Sequence, residues 1–289
     1  MKKIGMVGVG LMGMGIASNV QKAGYPLGVL EHPGNQPLDT LLEGGAKIYR
    51  SARELAQNAD IVILCVTGSP QVEDVLLKEG GVLEGLSEGT VVIDCSTAIP
   101  SSTQRIAALV QEKGGRFMDA PMTRTPREAA EGRLNLLVGG DTDLFEEIHP
   151  LLATFAEGIT HVGPVASGHR MKLLHNYVSL GTIALISEAA ACAAQAGMDS
   201  SVFVDVLAAG GGGGAALERL TPYLLRHDTS SLRFAMSNAE KDMNYYSAMA
   251  EESNTARLIA DAVRGTYAKA AAADPARFAI ELPSLLNAR

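Results

Sequence analysis

Four polar side chains recur along one side of an otherwise apolar stretch in the middle of the chain. In GHRMKLLHNYVS, Lys172, His175, Asn176 and Ser179 are spaced i, i+3, i+4 and i+7, which puts them on one face of a helix. A lysine in the first or second turn lies where the helix dipole disfavours an ammonium. Burial would disfavour it further, and both effects push its pKa toward the range useful for proton transfer. The competing reading is a snorkelling lysine at a domain boundary. His175 reads more readily as a packed or hydrogen-bonded histidine than as a catalytic one. No His/Cys/Asp group has metal-ligand spacing, and no Ser/His/Asp arrangement stands out.

A second constellation opens the chain. Gly8, Gly10 and Gly13 form G-x-G-x-x-G between the apolar run KIGMVGV and the helical pattern LMGMGIASNVQKAG. Glu31 follows 18 residues after Gly13, at the end of the next apolar run. Alone, three glycines are a strand–helix turn and Glu31 a solvated strand end. Together they match a dinucleotide fingerprint, in which glycines let pyrophosphate approach helix N–H groups. A carboxylate at Glu31 accepts from ribose hydroxyls and repels a 2′-phosphate, so NAD is favoured over NADP.

The third constellation is DAPMTRTP, residues 119–126. Thr125-Pro126-Arg127-Glu128 reads as a capping box with proline at the first helical position. Thr125 is then a helix cap, a contact to an anion, or both. Arg124 is a solvated loop charge or a planar multi-donor fork for an anionic group.

The elements that must position these residues follow from hydrophobic periodicity. KIGMVGV, LGVLE, DIVILCV, TVVIDCS, RFMDAP and LNLLVGG read as strands, with helical patterns between them. Ser51 with Glu54 forms a capping box, and Asp141 is an N-cap. Strands alternating with helices imply a mostly parallel sheet covered on both faces. After about residue 163 the pattern turns all-helical, beginning with a helix from Gly168 to Gly197. The GGGGG run at 210–214 is a break between helices. The fold class expected is α/β, with a dinucleotide-binding domain at 1–162 and a helical substrate or oligomerisation domain at 163–289.

Composition narrows the function classes. At 289 residues the length suits two domains. Hydrophobic residues at 47% and charged ones at 19% are ordinary for a globular enzyme. A net charge of −8 argues against nucleic acid or an anionic membrane as partner. The three cysteines show no paired spacing, and Cys65 and Cys95 fall in apolar runs. Buried free thiols in a reducing, cytoplasmic compartment are expected. The N-terminal run carries Gly5, Gly8, Gly10, Gly13 and Gly15, a poor composition for a signal-peptide helix. No stretch reaches about 18 uninterrupted apolar residues, so no membrane span is expected.

The chain resembles the β-hydroxyacid dehydrogenase family, which includes 3-hydroxyisobutyrate dehydrogenases and tartronate semialdehyde reductases. The matching pieces are GVGLMGMGIASN at 8–19, DCST at 94–97, DAP at 119–121 followed by EGRLNLLVGG, GHRMKLLHN at 168–176 and EKDM at 240–243. They stand in the family's order across nearly the whole chain. The resemblance implies a Rossmann-like domain, a long interdomain helix and a helical domain, in homodimers or homotetramers. It implies Lys172 as the catalytic acid/base and Asn176 as the residue that orients substrate. Ser96 is implied beside both nicotinamide and substrate, and Lys241 against the cofactor. Leu11, Met12, Val66 and Thr67 complete the implied cofactor contacts.

One departure bears on the substrate. Where most of the family has Ser-Gly-Gly after DAP and one further residue, this chain has Thr123-Arg124-Thr125. That triplet, with HNY at 175–177, looks like the sulfolactaldehyde reductase branch, where an Arg-Thr pair is expected to hold a sulfonate. The expected function is NAD-dependent hydride transfer to a small anionic aldehyde. The alternatives are reduction of a carboxylate semialdehyde of the tartronate semialdehyde or 3-hydroxyisobutyrate type, and a cofactor-binding scaffold without activity.

Overall fold

The computed structural model describes residues 1–287. Nine strands form one sheet: β1 (Ile4–Val7), β2 (Leu27–Leu30), β3 (Lys47–Tyr49), β4 (Ile61–Leu64), β5 (Val91–Asp94), β6 (Arg116–Asp119), β7 (Met122–Thr123), β8 (Leu134–Gly139) and β9 (Ala156–Gly163). The order is β3-β2-β1-β4-β5-β6-β8-β7, with β9 also on β8. The strands from β3 to β6 are parallel, β8 runs antiparallel to β6 and β7, and β9 runs parallel to β8. The mostly parallel α/β sheet expected from the sequence is therefore present.

Every residue of β1, β4 and β5 is buried, which is why these strands read as unbroken apolar runs. Alternation sorts their side chains between two cores. Ile4, Met6, Ile61, Ile63 and Ile93 face one apolar cluster, and Val7, Val62, Leu64 and Val92 face the other. Both clusters are completed by helices, so each face of the sheet is covered.

Strands β3, β7 and β9 were not expected. The first two are three and two residues long, too short for periodicity to register. In β9, AEGITHVG, glycines and partly exposed polar residues break the alternation.

The predicted caps form. Ser51 accepts from the Glu54 N–H at 3.1 Å, and Asp141 accepts from the Asp143 and Leu144 N–H groups at 3.0 and 3.1 Å. The Glu128 carboxylate accepts from the Thr125 N–H at 3.0 Å and from its hydroxyl at 2.5 Å. Pro126 begins that helix, Pro126–Ala130.

The chain divides into two compact units, Met1–Lys172 and the part from Leu173 onward. The division falls ten residues beyond the change of pattern at 163 because the first turn of the long helix, Ser167–Gln195, is bound to the sheet. The Asp119 carboxylate at the end of β6 accepts from the backbone N–H groups of Ala166 and His169 at 2.7 and 2.8 Å.

Among the described residues, the regular elements of the second unit are helices, with one isolated bridge between Ala235 and Phe278. The main helices are Ser200–Ala209, Ala215–Arg226, Met236–Glu252 and Leu258–Ala273. The GGGGG run separates the first two. By length and composition Ser167–Gln195 could cross a membrane. Leu180 and Ala184 are buried in one apolar cluster of this unit, and Ile183 and Ile186 in another. It serves as the core helix of the unit.

Candidate functional site

The glycine loop joins β1 to the helix Leu11–Lys22. Gly8 has φ +86°, and a Cβ there would sit 2.3 Å from the Cys65 carbonyl oxygen. A Cβ on Gly13 would sit 1.9 Å from the Gly8 carbonyl oxygen. Both positions require glycine. Gly10 caps the helix without any side-chain bond to its first N–H groups. Apart from its own neighbours in the chain, nothing lies within 4 Å of where its Cβ would be. Open space over uncapped N–H donors suits a pyrophosphate. Leu11 is 65% exposed beside this space, and Met12 packs on the core.

Asn35 fixes the loop from outside. Its Oδ1 accepts from the Val9 N–H at 3.1 Å and its Nδ2 donates to the Leu30 carbonyl at 2.9 Å. The sequence reading missed Asn35, since no spacing rule marks an asparagine in an irregular loop.

Glu31 is exposed just past β2, where the fingerprint requires an acid. It has a neighbour the sequence did not reveal: Arg50 Nε lies 3.7 Å from the carboxylate, with both side chains solvated. An arginine at this place could meet a 2′-phosphate, but Glu31 stands with it.

Val66, Thr67 and Ser96 follow the adjacent strands β4 and β5. Ser96 is 3% exposed and held on three sides. Its N–H donates to Asp94 Oδ1 at 2.9 Å, its Oγ accepts from the Val66 N–H at 3.0 Å, and its carbonyl accepts from His169 Nε2 at 3.1 Å. Those bonds leave the hydroxyl proton to be donated.

Beneath Ser96 lies a buried polar cluster. Asp94, Asp119, Thr103 and His169 are each at most 2% exposed. His169 Nδ1 is 2.7 Å from Thr103 Oγ1, and its ring lies 3.9 Å from Asp94 and 3.8 Å from Asp119. Burial pushes the Asp119 carboxyl above its usual range, against the lowering effect of His169 and the two backbone donors. Lys172, half-buried, is one turn further along the same helix.

Thr123 ends β7, paired with Asn135 on β8. Arg124 takes φ +80°, a left-handed conformation uncommon outside glycine. Its Nη1 donates to the Arg133 carbonyl and to Glu157 Oε2, both at 2.5 Å. Arg124 in turn holds the Glu157 carboxyl below its ordinary range through that hydrogen bond and its charge. The guanidinium is thus fixed rather than loose, by a partner on the unexpected strand β9.

Within the second unit, Asn176 and Lys241 meet at Asp242. Asn176, 6% exposed, donates from Nδ2 to Asp242 Oδ2 at 2.6 Å. Lys241 Nζ lies 3.0 Å from Oδ1 of the same buried carboxylate. His175 is exposed, with Nδ1 3.0 Å from Asn176 Oδ1. Tyr177 stacks on Tyr246 at 4.1 Å between ring centres, pinning the two helices beside this pair. Asp242 was visible only as part of EKDM, with no role attached. Cys95 is buried, Cys65 partly buried and Cys192 exposed, all unpaired. Burial pushes the Cys95 thiol up, which removes it as a nucleophile.

Comparison with known proteins agrees with this geometry. Residues 3–163 match the NAD binding domain of 6-phosphogluconate dehydrogenase, and residues 166–278 match the NAD-binding of NADP-dependent 3-hydroxyisobutyrate dehydrogenase. An NAD-dependent L-serine dehydrogenase of Pseudomonas aeruginosa is 35% identical over 77% of this chain and 74% of its own. A 2-hydroxy-3-oxopropionate reductase of Escherichia coli is 33% identical over 84% of this chain and 82% of its own. Among solved structures, 3-hydroxyisobutyrate dehydrogenase of Mycobacterium tuberculosis with L-serine superposes with a TM-score of 0.86 at 25% identity, covering 100% of both chains. With a glycine cradle that fits a dinucleotide and matches along both units, the chain belongs to the β-hydroxyacid dehydrogenase family and is an NAD-dependent oxidoreductase of the 3-hydroxyisobutyrate dehydrogenase-like type.

Proposed function

We propose that the enzyme interconverts a small anionic aldehyde and its alcohol, with 3-sulfolactaldehyde or a close anionic analogue as the first substrate to try. One observation carries the reading. Lys172 and Asn176 stand one turn apart on a helix whose start is hydrogen-bonded to Asp119 and to the carbonyl of Ser96. The proton donor and the orienting amide are thereby built on the element that also grips the strand ends.

NADH, when bound, supplies a hydride to the carbonyl carbon. Lys172 Nζ gives a proton to the carbonyl oxygen as it becomes an alkoxide, and takes the hydroxyl proton in the reverse direction. The Asn176 amide gives one N–H to Asp242 and turns the other to the substrate oxygen. Ser96 donates its hydroxyl proton, and Lys241 meets the cofactor. The anionic end is held by Thr123 and Arg124, while Thr125, whose N–H and hydroxyl donate to Glu128, caps the helix beside them. The Arg124 fork carries five donors; Nη1 is engaged by Glu157 and the Arg133 carbonyl, and the donors on Nε and Nη2 are the ones assigned to the anion.

The second reading is reduction of a carboxylate semialdehyde. The relatives named for 2-hydroxy-3-oxopropionate and L-serine favour it, since both compounds carry a carboxylate. Three oxygens on a sulfonate engage the Arg124 fork and the Thr123 hydroxyl more fully than two, and Arg124 favours the first reading. Unpaired Cys65 and Cys95 support a reducing, cytoplasmic location. Exposed Leu174, Val178 and Leu185 along the long helix support assembly as a homodimer or homotetramer.

Lys172→Ala should lower kcat by roughly 10²–10⁴ while NADH binding, followed by fluorescence, survives. A variant with near wild-type kcat would remove Lys172 from the reaction. NAD(H) should be used in preference to NADP(H). Glu31→Ala should narrow that preference about tenfold, or roughly 1.4 kcal/mol, because Arg50 is then left to meet a 2′-phosphate. Wild-type kinetics favouring NADP(H) would contradict the role of Glu31. Arg124→Gly should lower kcat/KM by roughly 10- to 150-fold, the worth of one charge-assisted contact. The loss should be larger on a sulfonate than on a matched carboxylate, and Arg124→Lys should recover only part of it. Equal kcat/KM in all three on every active substrate would leave Arg124 a structural tie to Glu157. Sedimentation should report more than one copy per particle; the mass of a single chain would overturn the oligomer.

A further inference from the structure

His169 is fully buried and both its ring nitrogens are engaged. It joins three separate segments: the loop after β5, through the Ser96 carbonyl; the helix Pro100–Glu112, through Thr103; and the first turn of Ser167–Gln195, on which it stands. The direction of one bond is fixed by chemistry. A carbonyl can only accept, so Nε2 carries a proton and donates to Ser96. Nδ1 meets the Thr103 hydroxyl, which either donates to the ring or turns to the Ile99 carbonyl at 3.2 Å. The Ile99 carbonyl is already served by the Thr103 N–H at 3.0 Å, so the hydroxyl is free to hold the ring. In either case Nε2 remains the donor to Ser96.

We propose that His169 is a positioning residue of the reaction, setting the Ser96 hydroxyl against the helical turn that carries Lys172. The inference rests on the function proposed for Lys172 and Ser96. An apolar residue of similar volume would fill the space without a buried polar group. The imidazole does what such a residue cannot, because its bond ends on the main chain of a site residue. Ser96 then has its N–H, its carbonyl and one Oγ lone pair all held by the protein, which fixes where its hydroxyl stands. Lys172 follows His169 by three residues, so the ring also sets the height of the lysine turn above β5. A displacement of about 1 Å in such a pair is enough to lower a rate roughly 100-fold.

The test compares His169→Gln, Thr103→Val and the double variant His169→Leu with Thr103→Val. Melting temperature, NADH affinity, kcat and KM are measured on whichever substrate of a sulfonate and carboxylate aldehyde panel the wild type turns over. Glutamine can donate to the Ser96 carbonyl and accept from Thr103, so it should keep kcat within about threefold. The double variant removes the ring and its hydroxyl partner together, which leaves no orphaned hydroxyl at Thr103, but it takes the donor from the Ser96 carbonyl and the imidazole from Asp119, so a lowered melting temperature is expected. It should fold and bind NADH near normally, yet lose kcat roughly 10- to 100-fold with KM much less affected. Should the double variant fail to fold, Thr103→Val alone decides, with an expected kcat loss of about tenfold. A folded double variant, or Thr103→Val in its place, with kcat within twofold of wild type would overturn the proposal. So would His169→Gln falling as far as the double variant. Wild-type turnover across the panel tests the substrate class, whereas the variant-to-wild-type ratio tests His169.

Discussion

The buried carboxylate of Asp119 is the constraint on which the first unit's site depends. It ends β6, and its two oxygens accept from the backbone N–H groups of Ala166 and His169. One belongs to the residue just before the long helix and the other to its first turn, where N–H groups have no partner within the helix itself. A negative charge at a helix start is also favoured by the peptide dipoles. Burial works the other way, raising the carboxyl toward its neutral form. The hydrogen bonds and the nearby imidazole offset that cost. Ala166 reaches its donor position only with φ +74°, a conformation that costs an alanine about 1 kcal/mol or more. Strain of this kind persists where surrounding bonds over-determine the backbone, and here they do.

The same tie explains how residues scattered through 172 positions come together. Gly8, Val66 and Ser96 stand at the carboxyl ends of β1, β4 and β5, three strands adjacent in the sheet. Parallel pairing places those ends in one row, and the order reverses direction between β1 and β4, where ligands bind in open α/β sheets. Asp119 ends the next strand, and through it the long helix starts beside the row. Asn176 and Lys241 are joined separately, by Asp242.

Much of this was legible in the sequence. The glycine loop and the caps at Ser51, Thr125 and Asp141 announce themselves by local spacing, because the physics behind each acts within about five residues; Glu31 was legible only through the 18-residue spacing of the dinucleotide fingerprint. The fully buried strands announce themselves by apolar runs. What escaped was long-range or short-lived. His169 meets Ser96 across 73 residues, and Ala166 meets Asp119 across 47; no periodicity records such a pairing. Arg50 comes beside Glu31 only because β3 pairs with β2. Glu157 comes beside Arg124 only because β9, broken by glycines, adds to β8. The polar stripe on the long helix was visible as Lys172, His175 and Asn176, yet the spacing alone could not tell exposed His175 from buried Asn176.

The border between the two compact units cuts an unbroken helix near its start, between Lys172 and Leu173. Domain borders usually fall in linkers, where recombination can exchange one module for another without cost. Here a cut at the border would sever a run of i to i−4 hydrogen bonds and part Lys172 from Asn176. The helix therefore offers no seam at this border. A chimaera that exchanges helical halves between relatives has to place its crossover elsewhere, for instance in the loop between Gly163 and Ser167, so that the whole helix travels as one piece. New substrate preferences in this architecture are then more readily reached by changing side chains around the helix than by replacing the module it runs into.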